Sequence, residues 1–399
     1  MYNLYCRMYQ LAYKTAAPFF NWKKPELLEG ENSLIKLPPL LKLKGIGSVL
    51  IVTDKGIVSV GLLERLLDGL EGKGIDYVVY DETVQNPTID NIEEAFLLYK
   101  ETQCHGIIGF GGGSPIDCAK GVAARVARPG KTIPKMKGQL KVRKPTPPLI
   151  AIPTTSGTGS EATVAAVISN SETHEKYAIN DHVLIPDLAV LDPLLTMKLP
   201  AHITSTTGMD ALTHAIEAYI GRSNTEETSQ CSKEAVQLIF HNLYEAYSNG
   251  SNIEARKNMQ KASYLAGVAF TRAYVGYVHA IAHTLGGFYS VPHGLANAII
   301  LPYVLEYYGE SVHQPLAELA DIVGITTVDD ATSLKAKKFI EAIKKLNRDM
   351  NIPNTFDCLM EQDLPIMVDR AFREANPLYP VPKILDKHDL FNLYKMIKA

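Results

Sequence analysis

Five short apolar runs punctuate the first half of this chain, and near Pro200 they give way to helical patterns alone. The runs are VLIVTDK (49–55), YVVYD (77–81), GIIGFGGG (106–113), PLIAIPTT (148–155) and LAVLDP (188–193). Each has the length and aliphatic content of a buried strand. Helical patterns lie between them at 61–72, 92–100 and 115–127, the last with Pro115 in its first turn. Strands that alternate with helices pair in parallel through right-handed crossovers. Beyond residue 203 the apolar spacing predicts helices at 207–220, 230–247, 254–272, 276–287, 294–308, 312–323, 331–349 and 387–397. The expected organisation is an aromatic N-terminal extension (1–30), an α/β domain with a parallel sheet (31–198) and an all-α domain (199–399).

A length of 399 residues fits two or three domains at roughly 150 residues each. With 46% apolar and 21% charged residues, the chain can bury a large core without disulfides or structural metals. A formal net charge of −3 argues weakly against a nucleic-acid binder, which usually shows a basic face. The five cysteines (Cys6, Cys104, Cys118, Cys231, Cys358) are odd in number and scattered, with no C-x-x-C, which reads as free thiols in a reducing compartment. No run of 18 or more apolar residues predicts a membrane span. Arg7, Gln10 and Lys14 interrupt the N-terminal stretch that a secretory signal would need, so a cytoplasmic location is expected. Residues 1–30 are rich in Tyr and Phe and suit a short amphipathic helix packed on the body or on a partner. The segment 131–144, with six basic residues and no acid, reads as a solvated loop.

Gly111-Gly112-Gly113-Ser114-Pro115 lies between a predicted strand and a predicted helix. Amides at a helix N-terminus point outward, and the helix dipole favours an anion there. Glycines lack the Cβ atoms that would keep a pyrophosphate off the backbone. A tight strand-to-helix turn would use the same residues, though three consecutive glycines exceed what it needs. Gly109, Gly111 and Ser114 occupy the G-x-G-x-x-G spacing, so the third glycine of the usual dinucleotide fingerprint is missing. Asp54 ends the first strand, ahead of the glycines rather than after them. At a ribose it would repel a 2′-phosphate and favour NAD over NADP; as a turn residue before Lys55-Gly56 it would have no ligand role. A second loop, PTTSGTGSE (153–161), offers hydroxyls to phosphate or ribose.

The helical half carries groups with metal chemistry. Asp210 and His214 stand four residues apart, as do His279 and His283, and His293 follows. Such pairs share one helix face, and a bundle brings such faces together. Single histidines on apolar faces are commonly core residues; two spaced pairs and a third histidine point to an ion. A mixed Asp/His set suits Fe²⁺, Zn²⁺ or a similar ion. A catalytic ion keeps an open position, so only three or four of the five are ligands. The spare imidazole would carry protons, and local spacing does not say which one is spare.

GGGSPIDCAK (111–120), PTTSGTGSE (153–161), GMDALTHAIEAY (208–219) and HAIAHTLGGFYSVPHGLANAIILP (279–302) resemble the signature segments of the iron-containing (group III) alcohol dehydrogenases. That family includes butanol, 1,3-propanediol and lactaldehyde-reducing enzymes. The resemblance runs in register from about residue 45 to the C-terminus. It implies a dinucleotide-binding α/β domain, a helical metal-binding domain and a site in the cleft between them. It implies Asp210, His214, His279 and His293 as ligands of Fe²⁺ or Zn²⁺, with His283 as the spare imidazole near the substrate. Asp54 would hold the adenine ribose of NAD(H), and Asn86 would lie near the cofactor. Gly112, Gly113, Ser114 and Asp117 would surround the pyrophosphate and the nicotinamide side. Thr154, Thr155 and Thr158 would contact the dinucleotide, with Lys176 close to its ribose. ANPLYP (375–380) is a further family feature, and the aromatic stretch 1–30 departs from the family pattern.

The resemblance therefore implies hydride transfer between NAD(H) and a small alcohol or aldehyde, in a homodimer or larger assembly. No nucleic-acid or membrane partner is expected. A lyase of the dehydroquinate synthase type is one alternative, but it needs a basic pocket, and Arg272 is the lone clear candidate near 208–300. A protein recruited to a scaffold through residues 1–30, with catalysis secondary, is another.

Overall fold

The aliphatic runs build the sheet, and their burial on both faces explains why they read as continuous rather than alternating. The computed structural model describes residues 1–20, 22–171 and 175–399. The chain divides into two compact units, Asn21–Lys198 and Met1–Phe20 with Leu199–Ala399.

In the first unit the strands are β1 (Glu26–Glu29), β2 (Ser48–Val52), β3 (Asp76–Tyr80), β4 (Gly106–Gly111), β5 (Gly138–Gln139), β6 (Leu149–Pro153), β7 (Ala165–Asn170), β8 (Glu175–Asn180) and β9 (Leu188–Leu191). Six of them form one parallel sheet in the order β1-β9-β6-β4-β2-β3. The other three form a small sheet, β5-β8-β7. After α1 (Tyr2–Ala16), which belongs to the other unit, five helices accompany these strands: α2 (Leu37–Leu43), α3 (Lys55–Ser59), α4 (Glu64–Glu71), α5 (Ile89–Glu101) and α6 (Gly113–Ala127). Leu50, Val52, Ile107 and Leu149 face α5 and α6 through Ile92, Phe96, Ala119 and Val122. Their neighbours Val49, Ile51, Ile108 and Ile150 face the opposite layer with Leu37, Leu41, Leu66 and Leu70. Each such fully buried side chain contributes about 1.5–3 kcal/mol. The chain steps from β2 to β3 on one side and returns to β4 on the other. That reversal is where open α/β sheets bind ligands, beyond the carboxyl ends of the strands.

The second unit holds α1 and nine further helices: α7 (Ala201–Ile220), α8 (Glu226–Ser248), α9 (Ile253–Ala273), α10 (Tyr277–Tyr289), α11 (His293–Tyr308), α12 (His313–Ile322), α13 (Thr332–Asp349), α14 (Leu364–Ala375) and α15 (Lys387–Ile397). Every residue of α7 from Gly208 to Ile220 is buried, which marks it as the central helix. Side-chain caps start several of the others: Thr225 for α8, Asn252 for α9 and Asp386 for α15.

Several elements differ from the sequence expectation. The residues grouped as 1–30 contain two elements, α1 and the edge strand β1, which pairs with β9. The pair β7–β8 and the helix α14 also went unanticipated. The basic segment 131–144 is not simply a solvated loop: Ile133, Met136 and Val142 are fully buried. Asp181 anchors it by accepting from the Val142 and Arg143 amides, and Lys137 pairs with Glu175.

Candidate functional site

Asp210, His214 and Glu217 lie on one face of α7, spaced by about one turn each. His279 and His283 repeat that spacing on α10, and His293 opens α11. The next residue, Gly294, lets the two helices touch: a Cβ there would sit 2.3 Å from the Thr206 carbonyl oxygen of α7. This approach brings His293 Nε2 to 3.6 Å from Asp210 Oδ1. His279 Nε2 and His214 Nδ1 each lie 3.9 Å from the same oxygen. One donor atom from each of Asp210, His214, His279 and His293 falls within 4.8 Å of the others. Among the described residues this is the one such group of His, Cys, Asp or Glu that could hold an ion. The side chains of Asp210, His214 and His279 are 3–6% exposed, whereas that of His293 is 28% exposed, so the cluster opens on the His293 side.

The hydrogen bonding within the cluster favours a cation. Asn297 Nδ2 lies 2.6 Å from Asp210 Oδ1 and 3.2 Å from both His279 Nε2 and His293 Nε2. The one amide thus links the carboxylate and two imidazole nitrogens at a single point. A cation there would draw on the Asp210 carboxylate and on imidazole lone pairs together. His279 Nδ1 donates to Glu217 Oε2 at 2.6 Å, which leaves the Nε2 lone pair facing Asp210. Burial holds the His279 imidazole well below its ordinary range, which favours the neutral form that a metal would require. Glu217 also accepts from the Gly276 and Val278 amides at 2.8 Å each, fixing the start of α10 to α7.

His283 stands apart from the four. Its ring stacks on His293 with centroids 5.1 Å apart, and its Nδ1 lies 2.6 Å from Glu374 Oε1. The same oxygen accepts from the Tyr379 hydroxyl at 2.9 Å. His214 stacks on Phe270 with centroids 4.1 Å apart.

At the other unit's strand ends, the glycine turn forms the start of α6, immediately after β4. A Cβ on Gly113 would sit 2.7 Å from Thr158 Cγ2, so the turn and the 153–161 loop are in close contact. Thr155 borders Gly112 at 3.5 Å from the position of its absent Cβ, and the Thr154 amide donates to Gly111 O at 2.9 Å. Ser114 Oγ accepts from the Asn86 amide at 3.2 Å, and Lys176 Nζ donates to Asn86 Oδ1 at 2.7 Å. Thus Asn86, Gly112, Gly113, Ser114, Thr154, Thr155, Thr158 and Lys176 gather at one edge. Asp54 ends the neighbouring strand and caps α3, accepting from the Ile57 amide at 3.0 Å. Asp117 turns inward. Its oxygens accept from Ser160 Oγ at 2.5 Å and from the Val167 amide at 3.1 Å, and burial raises its carboxyl above the usual range. Its observed contacts tie the glycine-turn helix to the second loop.

Sequence reasoning passed over Glu217, Asn297 and Glu374. Glu217 continues the Asp210–His214 face, and Asn297 is one turn from His293, so helical spacing held a signal for both. Glu374 comes from 91 residues beyond His283 and had none. The lone cation considered for a phosphate pocket, Arg272, is ion-paired with Glu227.

Comparison with known proteins agrees with this geometry. Residues 25–193 match the family model of iron-containing alcohol dehydrogenase, and residues 204–397 match the C-terminal model of the Fe-containing alcohol dehydrogenase family. The chain is 38% identical over 351 residues to a 1,3-propanediol dehydrogenase of Klebsiella pneumoniae, covering 87% of this chain and 90% of that one. The crystal structure of a 1,3-propanediol oxidoreductase superposes with a TM-score of 0.91 at 35% identity, covering 94% of this chain and 99% of the other. That of a sulfoacetaldehyde reductase from Bifidobacterium kashiwanohense, in complex with NAD⁺, gives 0.84 at 26% identity, covering 95% and 99%. The chain belongs to the iron-containing alcohol dehydrogenase family.

Proposed function

We propose that this chain is an NAD(H)-linked, iron-dependent alcohol dehydrogenase that interconverts small primary alcohols and their aldehydes. The observation that carries the proposal is the convergence of Asp210, His214, His279 and His293 within 4.8 Å. These four would hold Fe²⁺, or Zn²⁺ in its place. When bound, the ion supplies a Lewis acid that polarises a carbonyl oxygen. Glu217 fixes the His279 tautomer, and Phe270 stacks on the His214 ring. His283 is the proton carrier: with Nδ1 held by Glu374, its Nε2 is left to exchange a proton with the substrate oxygen or solvent.

The α/β unit would bind NAD(H). In this assignment Gly112, Gly113 and Ser114 take the pyrophosphate at the α6 N-terminus. Thr154, Thr155, Thr158, Asn86 and Lys176 supply donors and acceptors around it. Asp54 takes the adenine ribose, where its charge disfavours a 2′-phosphate. Asp117 supports the turn from behind. Domains at 31–198 for the cofactor and 199–399 for the metal belong to the same proposal.

A cytoplasmic setting is proposed from five cysteines that remain free thiols. No helix among the described residues is long and apolar enough to cross a membrane. A homodimer or larger assembly is proposed from the family expectation and from the exposed Leu4, Met8 and Leu11 of α1.

The test follows NADH oxidation with butyraldehyde. Anaerobically purified protein is stripped with chelator and reloaded with Fe²⁺ or Zn²⁺, with NADPH as the control. Metal-dependent oxidation that prefers NADH is the expected result. Oxidation that ignores the chelator would overturn the metal assignment.

A further inference from the structure

The segment Asn376–Pro382 contains Pro377, Pro380 and Pro382. Prolines lack the amide proton, so this stretch can build neither a helix nor a full ladder, and beyond the Val381 amide's bond to Tyr379 O at 2.9 Å its carbonyls need donors from elsewhere. Two side chains of α1 supply them. Gln10, 5% exposed, donates through Nε2 to Tyr379 O at 2.7 Å and Pro377 O at 3.1 Å. The two terminal nitrogens of Arg7 donate to Val381 O at 2.7 Å and Pro382 O at 2.8 Å. Arg7 also donates to Gln10 Oε1 at 2.8 Å, so the two act as one brace. The remaining proline carbonyl, Pro380 O, accepts from the Arg222 amide at 2.7 Å, and Lys14 of α1 donates to Arg222 O at 2.7 Å.

The braced segment carries Tyr379, whose hydroxyl donates to the same Glu374 oxygen that His283 Nδ1 contacts. Residues 1–24 precede both matched family regions, whereas residues 376–382 lie within one of them.

We propose that α1 is a built-in clamp on residues 376–382, and that Gln10 and Arg7 are positioning residues for the Glu374–His283 pair. They touch neither substrate nor cofactor. They fix the backbone that aims the Tyr379 phenol at Glu374, and thereby the imidazole that Glu374 orients. The inference rests on the dehydrogenase reading, in which His283 carries the proton. It explains why α1 turns a buried amide and a half-buried guanidinium to the body while leaving Leu4, Met8 and Leu11 exposed.

The test uses the full chain with Gln10→Glu, which preserves the shape and the Arg7 contact but removes both donors to the segment. Loss of register at the imidazole lowers kcat by about 10- to 100-fold, since a shift of about 1 Å at a reacting group can cost that much. KM for NADH and the metal bound per chain stay at wild-type values, a split that general destabilisation does not produce. A second readout is independent of turnover. In zinc-loaded protein labelled with ¹⁵N-histidine, the bonded Nδ1–H signal, assigned through its loss in His283→Asn, exchanges faster with water in Gln10→Glu. Arg7→Met, which frees only Val381 and Pro382, gives a smaller effect of the same kind and serves if Gln10→Glu does not fold. Wild-type kcat together with an undisturbed His283 signal in the folded variant would overturn the clamp. A wild-type enzyme without metal-dependent NADH oxidation would instead overturn the dehydrogenase reading, whatever the variants do.

Discussion

Each unit buries ionisable groups, and the two do so in opposite ways. In the α/β unit, Lys120 is fully buried, and its three donor protons meet three oxygens: Thr163 O and Oγ1 at 2.9 Å and Ala165 O at 2.8 Å. Donors equal acceptors, and the cluster is closed. In the helical unit, Asp210 Oδ1, His279 Nε2 and His293 Nε2 converge on the one Asn297 amide, and their donor atoms, with that of His214, lie within 4.8 Å of one another. Buried charge is therefore no sign of function by itself. Convergence of ligand atoms from several elements, next to an exposed edge such as His293, is the more useful sign.

The comparison breaks first at Asp210. Asp210→Ala should remove bound metal to background, read by elemental analysis, and abolish turnover with it. His283→Ala should keep the metal and slow turnover by about 100-fold or more, the usual worth of a general acid–base. Loss of metal in His283→Ala would move it into the ligand set.

The closed cluster predicts a pure stability effect. Lys120→Met should lower the free energy of unfolding in urea by at least the ~1–3 kcal/mol that one orphaned buried acceptor costs. Metal content per folded chain should not change. Burial pushes the Lys120 ammonium down to about 8, from an ordinary 10.5. Across that window the unfolded chain binds the proton more tightly, so the Lys120 contribution to stability rises with pH. The wild-type-minus-variant difference in unfolding free energy should grow accordingly from about pH 8 to about pH 10. A flat or falling difference would show that the three hydrogen bonds outweigh burial and hold the Lys120 proton.

Smaller effects sharpen the contrast. Glu217→Gln keeps an acceptor for His279 but loses the charge, and should weaken metal binding by about 10-fold in chelator competition, the low end for such supporting groups. Gly113→Ala places a methyl against Thr158 and should cost about 1–3 kcal/mol of local strain. That strain should appear as a raised KM for NADH with unchanged metal content; unchanged KM would detach the glycine turn from the cofactor.

Much of this was legible in the sequence because it depends on local spacing. The α7, α10 and α11 positions follow from helical periodicity, and the glycine turn follows from its place between strand and helix. What was not legible depends on distant partners. His279 and His283 share a helix face, and the pairing of one with Glu217 and of the other with Glu374 comes from residues far along the chain. Asp54 and Asp117 look alike as acids near a turn, yet one caps α3 and the other faces Ser160 and Val167. The strand β1 hid in an aromatic stretch because its four residues make sense only beside β9. The pair β7–β8 is short and half polar, with too little apolar content to register as strands.

The docking of α1 also has a consequence in time. Arg7 and Val381 are separated by 374 residues, so a ribosome working at about 5–20 residues per second needs roughly 20–75 s to make the second after the first. Throughout that interval Arg7 and Gln10 await the carbonyls that they hold in the folded chain. The clamp is thus among the last contacts to close, and protein whose synthesis stops before Pro377 carries Arg7 and Gln10 without those partners.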